Sequence, residues 1–293
     1  MWTTLTGMGR SAEAAEHCQR GVALYDRRER TSWWLYGTHD PGVCCRQILG
    51  LTSWLLGRPD DATKWIHGAL ALAGELRHPF TTMIALYYAA WVHYHRGEAE
   101  MATEKANAVV ALGQAEGFSV YPERAAVILA RLLVERGSLD EGLARAEEAV
   151  SRATAQGLKS GTEVFSAVLL AGAYSKAGQP EKGLQVIKTL AANSGVSFYE
   201  PEVRRIHGEL LLAQTPGAAA EAEACFRGAI ELARARQEKS LELRAAISLS
   251  RLLLRKGKRE EARPPLATAY AGFTEGLETA DLREARALLQ ELA

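Results

Sequence analysis

Apolar residues along this chain return every three to four positions, the spacing that gives a helix one buried face. The last stretch shows the pattern plainly: between Asp281 and Leu292, residues Leu282, Ala285, Leu288, Leu289 and Leu292 are apolar with polar residues between them. It predicts a terminal capping helix. Similar apolar-periodic segments earlier in the chain run into glycines at 57, 97, 137, 178, 217 and 257, in steps of 40, 40, 41, 39 and 40. A glycine just past a helix supplies the left-handed residue that ends it, and the acidic residues that follow suit the positive end of the next helix. Each unit therefore reads as helix, tight loop, helix.

A second pattern is locked to the first. Five residues after each glycine stands a small residue, namely Ala62, Ala102, Gly142, Gly183, Ala222 and Ala262, and seven before five of the six glycines stands another: Gly50, Ala90, Ala130, Ala171 and Ser250. In the remaining unit Gly208 lies nine before Gly217, which implies a two-residue insertion in that turn. Two helices of a hairpin approach closely only where neither carries bulk, so these paired positions mark the crossing points.

This arrangement resembles the tetratricopeptide family over Ala12 to Leu292, although the usual period there is about 34 residues. The resemblance implies an all-α fold: a right-handed superhelical solenoid of antiparallel helix pairs with a period near 40 and an inner groove lined by the first helix of each pair. We divide the chain into residues 1–40, a partial repeat and aromatic linker; residues 41–276, six hairpins; and residues 277–293, the capping helix. Only eight residues precede Gly9, so the first repeat is cut short. Either the chain is the carboxyl-terminal piece of something longer, or its own end is short and frayed.

Composition agrees with helices: alanine, leucine, glutamate and arginine dominate over β-branched residues. Lysine plus arginine equals aspartate plus glutamate, 35 each, which excludes the overall footprint of a nucleic-acid binder. The four cysteines, Cys18, Cys44, Cys45 and Cys225, form no CxxC pair and fit reduced thiols of a cytoplasmic protein. There is no signal-like amino terminus and no run of about 18 apolar residues, so no membrane partner is expected.

Several stretches are similar to the repeat region of large bacterial proteins that join a class III adenylate or guanylate cyclase domain, an ATPase module and tetratricopeptide repeats. They include residues 39–45 (HDPGVCC), 198–212 (FYEPEVRRIHGELLL), 221–234 (EAEACFRGAIELAR), 239–252 (KSLELRAAISLSRL) and 257–266 (GKREEARPPL). Related repeats occur in transcription factors of the maltose-regulon activator type, where they sense a ligand. The resemblance implies a regulatory or sensing arm without a cofactor and without catalysis.

The residues give catalysis no support either. Gly178 and Gly183 have phosphate-loop separation, but Leu184 follows where lysine would stand. His93 and His95 are two apart, roughly 200° around a helix, too far for shared metal ligation. His39, Asp40, Cys44 and Cys45 resemble a thiol–histidine site, yet Asp40 before Pro41 is also a helix start, aspartate as cap and proline first. We read Asp40 as a cap.

Recognition should lie on the inner face, which by the family's register falls 13, 10, 6, 3 and 2 residues before each glycine. The candidates so selected include Trp54, Tyr87, Trp91, Tyr94, His95, Arg124 and Arg131, then Glu202, Arg205, Arg244 and Arg251. The face begins aromatic and becomes charged. Its arginines would form a basic stripe suited to an acidic peptide, carboxylate or phosphate. Trp34 and Tyr36 in the linker join the candidates, beside Trp33 and several arginines. Aromatics with arginine anchor binding patches, but the same rings could fill the gap behind the broken first repeat. The expected function is a scaffold for a protein or peptide partner, including an upstream domain of the same polypeptide. The alternative is a sensor that settles a sugar or nucleotide-like effector in the groove.

Overall fold

The computed structural model describes residues 2–26, 39–155, 161–193 and 199–293. Among them the structure is helical without strands. Short α1 (Trp2–Gly7) and α2 (Ser11–Leu24) precede six hairpins: α3 (Pro41–Leu55) with α4 (Pro59–Leu76), α5 (Pro79–Arg96) with α6 (Ala99–Glu116), α7 (Val120–Glu135) with α8 (Leu139–Ala155), α9 (Gly161–Lys176) with α10 (Pro180–Asn193), α11 (Glu200–Gln214) with α12 (Ala219–Ala235), and α13 (Lys239–Arg255) with α14 (Arg259–Ala271). A last helix, α15 (Ala280–Glu291), follows.

Five of the six periodic glycines, Gly57, Gly97, Gly137, Gly178 and Gly257, adopt positive φ. At Gly97 the glycine N–H donates to the Tyr94 carbonyl and the Glu98 N–H to the His93 carbonyl, so the last turn's orphan carbonyls are satisfied. The other four turns repeat this pair of bonds. Gly217 departs from the expectation: it lies in a 3-10 turn, Pro216–Ala218, and is not left-handed. The inserted residues reverse the chain there without a left-handed position.

The paired small residues do meet. A Cβ on Gly50 would stand 2.6 Å from Ile66 Cγ1, and one on Gly142, Gly183 or Gly208 would stand 2.9, 3.2 or 3.1 Å from the carbonyl oxygens of Ala130, Ala171 and Ala222. The Ser250 hydroxyl uses the same proximity to donate to the Ala262 carbonyl at 2.7 Å. Ala90 and Ala102 are fully buried.

The stack does not leave an open groove. The solenoid closes on itself into a ring. The Ser240 hydroxyl of α13 donates to the Trp54 carbonyl of α3 at 2.5 Å, and the Ser11 hydroxyl of α2 donates to the Glu238 carboxyl at 2.8 Å. The N–H groups of Asp60 and Asp61, in the first turn of α4, donate to the Glu275 carboxylate at 2.9 and 3.0 Å. In return the Gly276 N–H donates to the Asp60 carboxylate at 2.9 Å. Helix α15 packs on α14 and α13 and also reaches α5.

Candidate functional site

Because the ring is shut, most of the inner face is buried. At its aromatic end Trp54, Trp91 and His95 are each at most 3% exposed. His95 is the hub. Its ring stacks on Trp54 at 4.1 Å, meets Trp91 at 4.1 Å and Phe165 at 5.5 Å, and its Nε2 lies 3.1 Å from the Tyr199 hydroxyl. Tyr94 packs edge-on against both His95 and Phe165. Burial, and then the nearby Arg244, push the His95 imidazole well below its ordinary pKa, so it is neutral; its Nδ1 is buried without a partner. His93, on the other side of α5 as the angular argument requires, places Nδ1 2.5 Å from the Glu98 carboxylate.

Tyr199 escapes a register-based reading because it stands outside any helix, in a left-handed turn (φ 63°) just before α11. A left-handed tyrosine is uncommon; here it swings a fully buried phenol toward α5. Tyr87 sits deeper in the row, packed on Tyr88 and Tyr121, with its hydroxyl and the Gln47 side-chain oxygen both buried and unpartnered.

The charged end is a network. Arg205 grips Glu202 through two bonds of 2.8 and 2.6 Å and also bonds Glu209. Arg244 reaches Glu202 at 3.0 Å and Asp281 at 3.1 Å. Burial alone would raise the Glu202 carboxyl, but the Arg205 and Arg244 guanidiniums hold it well below the usual carboxylate range. Arg131 pairs with Glu135 at 3.0 Å, and Tyr94 donates to that same glutamate at 3.2 Å; burial pushes the Tyr94 hydroxyl up to about 12. Arg251 pairs with Glu284 at 2.8 Å and is half exposed. Arg124 lies over the Tyr121 ring at 5.2 Å. The expected basic stripe is therefore corrected: Arg131, Arg205, Arg244 and Arg251 each meet a carboxylate of their own chain.

Of the sequence candidates, Trp54, Trp91, Tyr94 and His95 come together, and Glu202, Arg205 and Arg244 form a second group beside them. Tyr87 and Arg124 belong to a third group with Tyr121, and Arg251 stands at the rim. Trp34 and Tyr36 lie outside the described residues. The Asp40 carboxylate accepts from the Val43 N–H at 2.9 Å and from the Tyr25 hydroxyl at 3.0 Å, the geometry of a cap. Cys18, Cys44 and Cys45 are buried. Burial lowers the His39 pKa. A shallow cavity of about 560 Å³, lined among others by Tyr25, Arg46 and Glu75, opens beside the end of α2; none of its lining residues belongs to the inner-face register.

No protein-family profile matches the chain. An uncharacterized protein of Rhizobium meliloti (strain 1021) is 23% identical over 257 residues, covering 86% of this chain and 25% of the relative. The chain thus spans about a quarter of that relative's length. Among solved structures, a Rap protein complexed with competence and sporulation factor superposes with a TM-score of 0.64 at 14% identity, over 99% of this chain and 78% of that one. The apo quorum sensor NprR from B. thuringiensis gives 0.54 at 12% identity, over 94% and 80%. A tetratricopeptide repeat protein from Parabacteroides merdae ATCC 43184 gives 0.50 at 14%, over 97% and 96%. The fold is tetratricopeptide-like. Among the described residues no helix of this tetratricopeptide-like solenoid is long and apolar enough to cross a membrane.

Proposed function

We propose that the solenoid is a non-catalytic recognition module of a cytoplasmic bacterial signalling protein, and that its inner face takes an extended segment of a protein partner once the ring opens. The observation that carries this reading is the continuous inner row. The first helices contribute Trp54 from α3, Trp91, Tyr94 and His95 from α5, Arg131 from α7, Phe165 from α9, Arg205 from α11 and Arg244 from α13, rigid aromatic and arginine groups of the kind that dominate binding energy. In the closed state they serve one another as partners, so a segment must supply replacement stacking and replacement carboxylates. Likeness in shape to a Rap protein complexed with competence and sporulation factor supports the reading. The length of the Rhizobium relative supports a segment presented by the same polypeptide. The finer setting, with a cyclase domain and an ATPase module, rests on the sequence resemblance.

Panning a library of displayed 12-residue peptides against the chain tests this. Enriched peptides should compete with one another, and Trp54→Phe together with Arg244→Lys should weaken them at least tenfold; enrichment insensitive to both substitutions would place recognition elsewhere. The aromatic enclosure around His95 favours a second reading, a small effector with a ring that stacks. A panel of sugars and nucleotides that raises the melting temperature saturably would support it.

A further inference from the structure

The contact between Ser11 and Glu238 differs from the rest of the ring closure. Glu238 precedes α13 at the capping position but makes no cap bond there. Instead its side chain crosses to the first residue of α2, 227 positions earlier, and accepts the Ser11 hydroxyl at 2.8 Å. Both residues are 1% exposed. The second carboxyl oxygen, Oε2, is buried with no partner. A charged carboxylate cannot be left like this cheaply, whereas a neutral carboxylic acid can.

We propose that Ser11 and Glu238 form a carboxyl latch on the ring, shut while Glu238 is neutral and released when it is charged, so that proton loss exposes the inner face. The latch concerns the shape of the chain and not its occupant, so it goes beyond the recognition reading and does not depend on it.

The charged surroundings leave Glu238 to set the response. At the start of α2 the neighbours of Ser11 are Arg10, just before the helix, and Glu13, which pair with each other in solvent. On the turn before α13, Arg236 attracts a charged Glu238, but its guanidinium is bonded to Glu200 of α11 at 3.1 Å. Glu200 itself repels. On α13, Lys239 donates to the Gly272 carbonyl and Glu242 pairs with Arg234. Burial wins: it raises the Glu238 carboxyl to about 7 against the Ser11 hydrogen bond and Arg236, with Glu200 adding to the rise.

In an open ring the same carboxyl would titrate near the ordinary value of about 4.3. A raised group favours the closed form fully below the open-state value, and that support is lost as pH climbs through the closed-state value. Opening due to Glu238 should therefore grow between about pH 4.3 and pH 7, by on the order of 10²-fold in total, and stay level above. His95 acts in the opposite sense. Its neutral ring is favoured by burial, so its support for closure is complete above about pH 6.5 and declines in acid. Removing the Glu238 charge separates the two.

Hydrogen exchange of the amides that bridge the seam, Asp60, Asp61 and Gly276, reads opening directly, with mid-helix amides of α7 as the internal reference. After correction for intrinsic rates, Glu238→Gln should slow seam exchange on the order of 10²-fold at pH 8 and by less than about tenfold at pH 5, where a charged carboxyl contributes little. Should the amide variant fail to fold, Glu238→Met, uncharged and of similar length, carries the same expectation. Ser11→Ala should speed seam exchange at pH 5. Equal effects of the Glu238 variants at both pH values, or no slowing at pH 8, would overturn the latch.

Discussion

The two ends of the inner face solve one problem in opposite ways. Around His95 the chain buries indoles, phenyl and phenol rings against each other. Around Glu202 it buries two arginines, offset by carboxylates drawn from α11 and from α15. The aromatic end gains from area removed from water and from edge-to-face ring contacts. The ionic end starts with a desolvation penalty and recovers it only while every partner is present. Packing thus holds the first repeats in place, while complementarity sets how the last repeats seat on them. The ionic end should be the more sensitive to solution conditions.

The largest effect should come from emptying the aromatic end. Trp91→Ala removes a side chain 2% exposed that touches Trp54, His95, Phe165 and Tyr199. Truncations of this kind cost about 3–5 kcal/mol, measurable as a lowered denaturant midpoint. The loss should be nearly independent of salt and of pH above about 7. A cost under about 1 kcal/mol would mean that the aromatic end is loosely packed and the comparison mistaken.

Glu202→Gln should cost about 3 kcal/mol, because Arg205 and Arg244 then face each other with only Glu209 and Asp281 to answer them. Here the pH response should differ. The Glu202 carboxyl is held low by its arginines, so its contribution is complete above the ordinary carboxyl pKa of about 4 and disappears as pH falls below it. Wild-type stability should drop in acid more steeply than that of Glu202→Gln. Parallel acid profiles for the two proteins would remove the ionic end from the account.

These contrasts were only half visible in the sequence. The hairpins were legible because each leaves a local mark: a left-handed glycine after the first helix and small residues at the crossing. Gly217 broke the rule because inserted residues gave the chain another way to turn. The inner-face register picked out Trp54, Trp91, His95, Glu202, Arg205 and Arg244 as inward-facing, and they pack inward, since helical phase alone fixes which side of α3, α5, α11 and α13 does so. It could not find Tyr199, which reaches the cluster from a turn. Nor could it find the partners that neutralise the arginines, since Asp281 belongs to α15 and meets Arg244 only after the ring closes. Closure accumulates from small rotations between repeats, and no single stretch of sequence encodes it.

A smaller effect sharpens the role of the seam between the two ends. Gly97 and Gly137 occupy equivalent left-handed turns, with φ of 77° and 97°. Either changed to alanine should cost about 1–2 kcal/mol for the backbone conformation alone. A Cβ on Gly137 would meet nothing, whereas one on Gly97 would run into Ala280 at the start of α15. Gly97→Ala should therefore be the worse by about 1 kcal/mol or more, and its excess should appear as faster exchange of the Gly276 amide. Equal losses at both turns would show that the close approach of α15 to α5 relaxes without penalty.

The smallest effect belongs to the rim of the ionic end. Arg251 pairs with Glu284 across α13 and α15, but its side chain is 53% exposed. Solvent and salt screen such a pair, so Arg251→Ala should cost no more than about 1 kcal/mol, with the difference shrinking at high ionic strength. The contrast with Arg244 is instructive because both arginines join the same two helices and differ chiefly in burial, Arg244 being 20% exposed and sharing Glu202 with Arg205. Arg244→Ala would take the partner from Asp281 and leave Glu202 to Arg205 alone, and salt should restore little of that loss. If the two substitutions cost the same and respond alike to salt, then burial does not govern the ionic end, and its resemblance to a recognition surface would rest on charge alone.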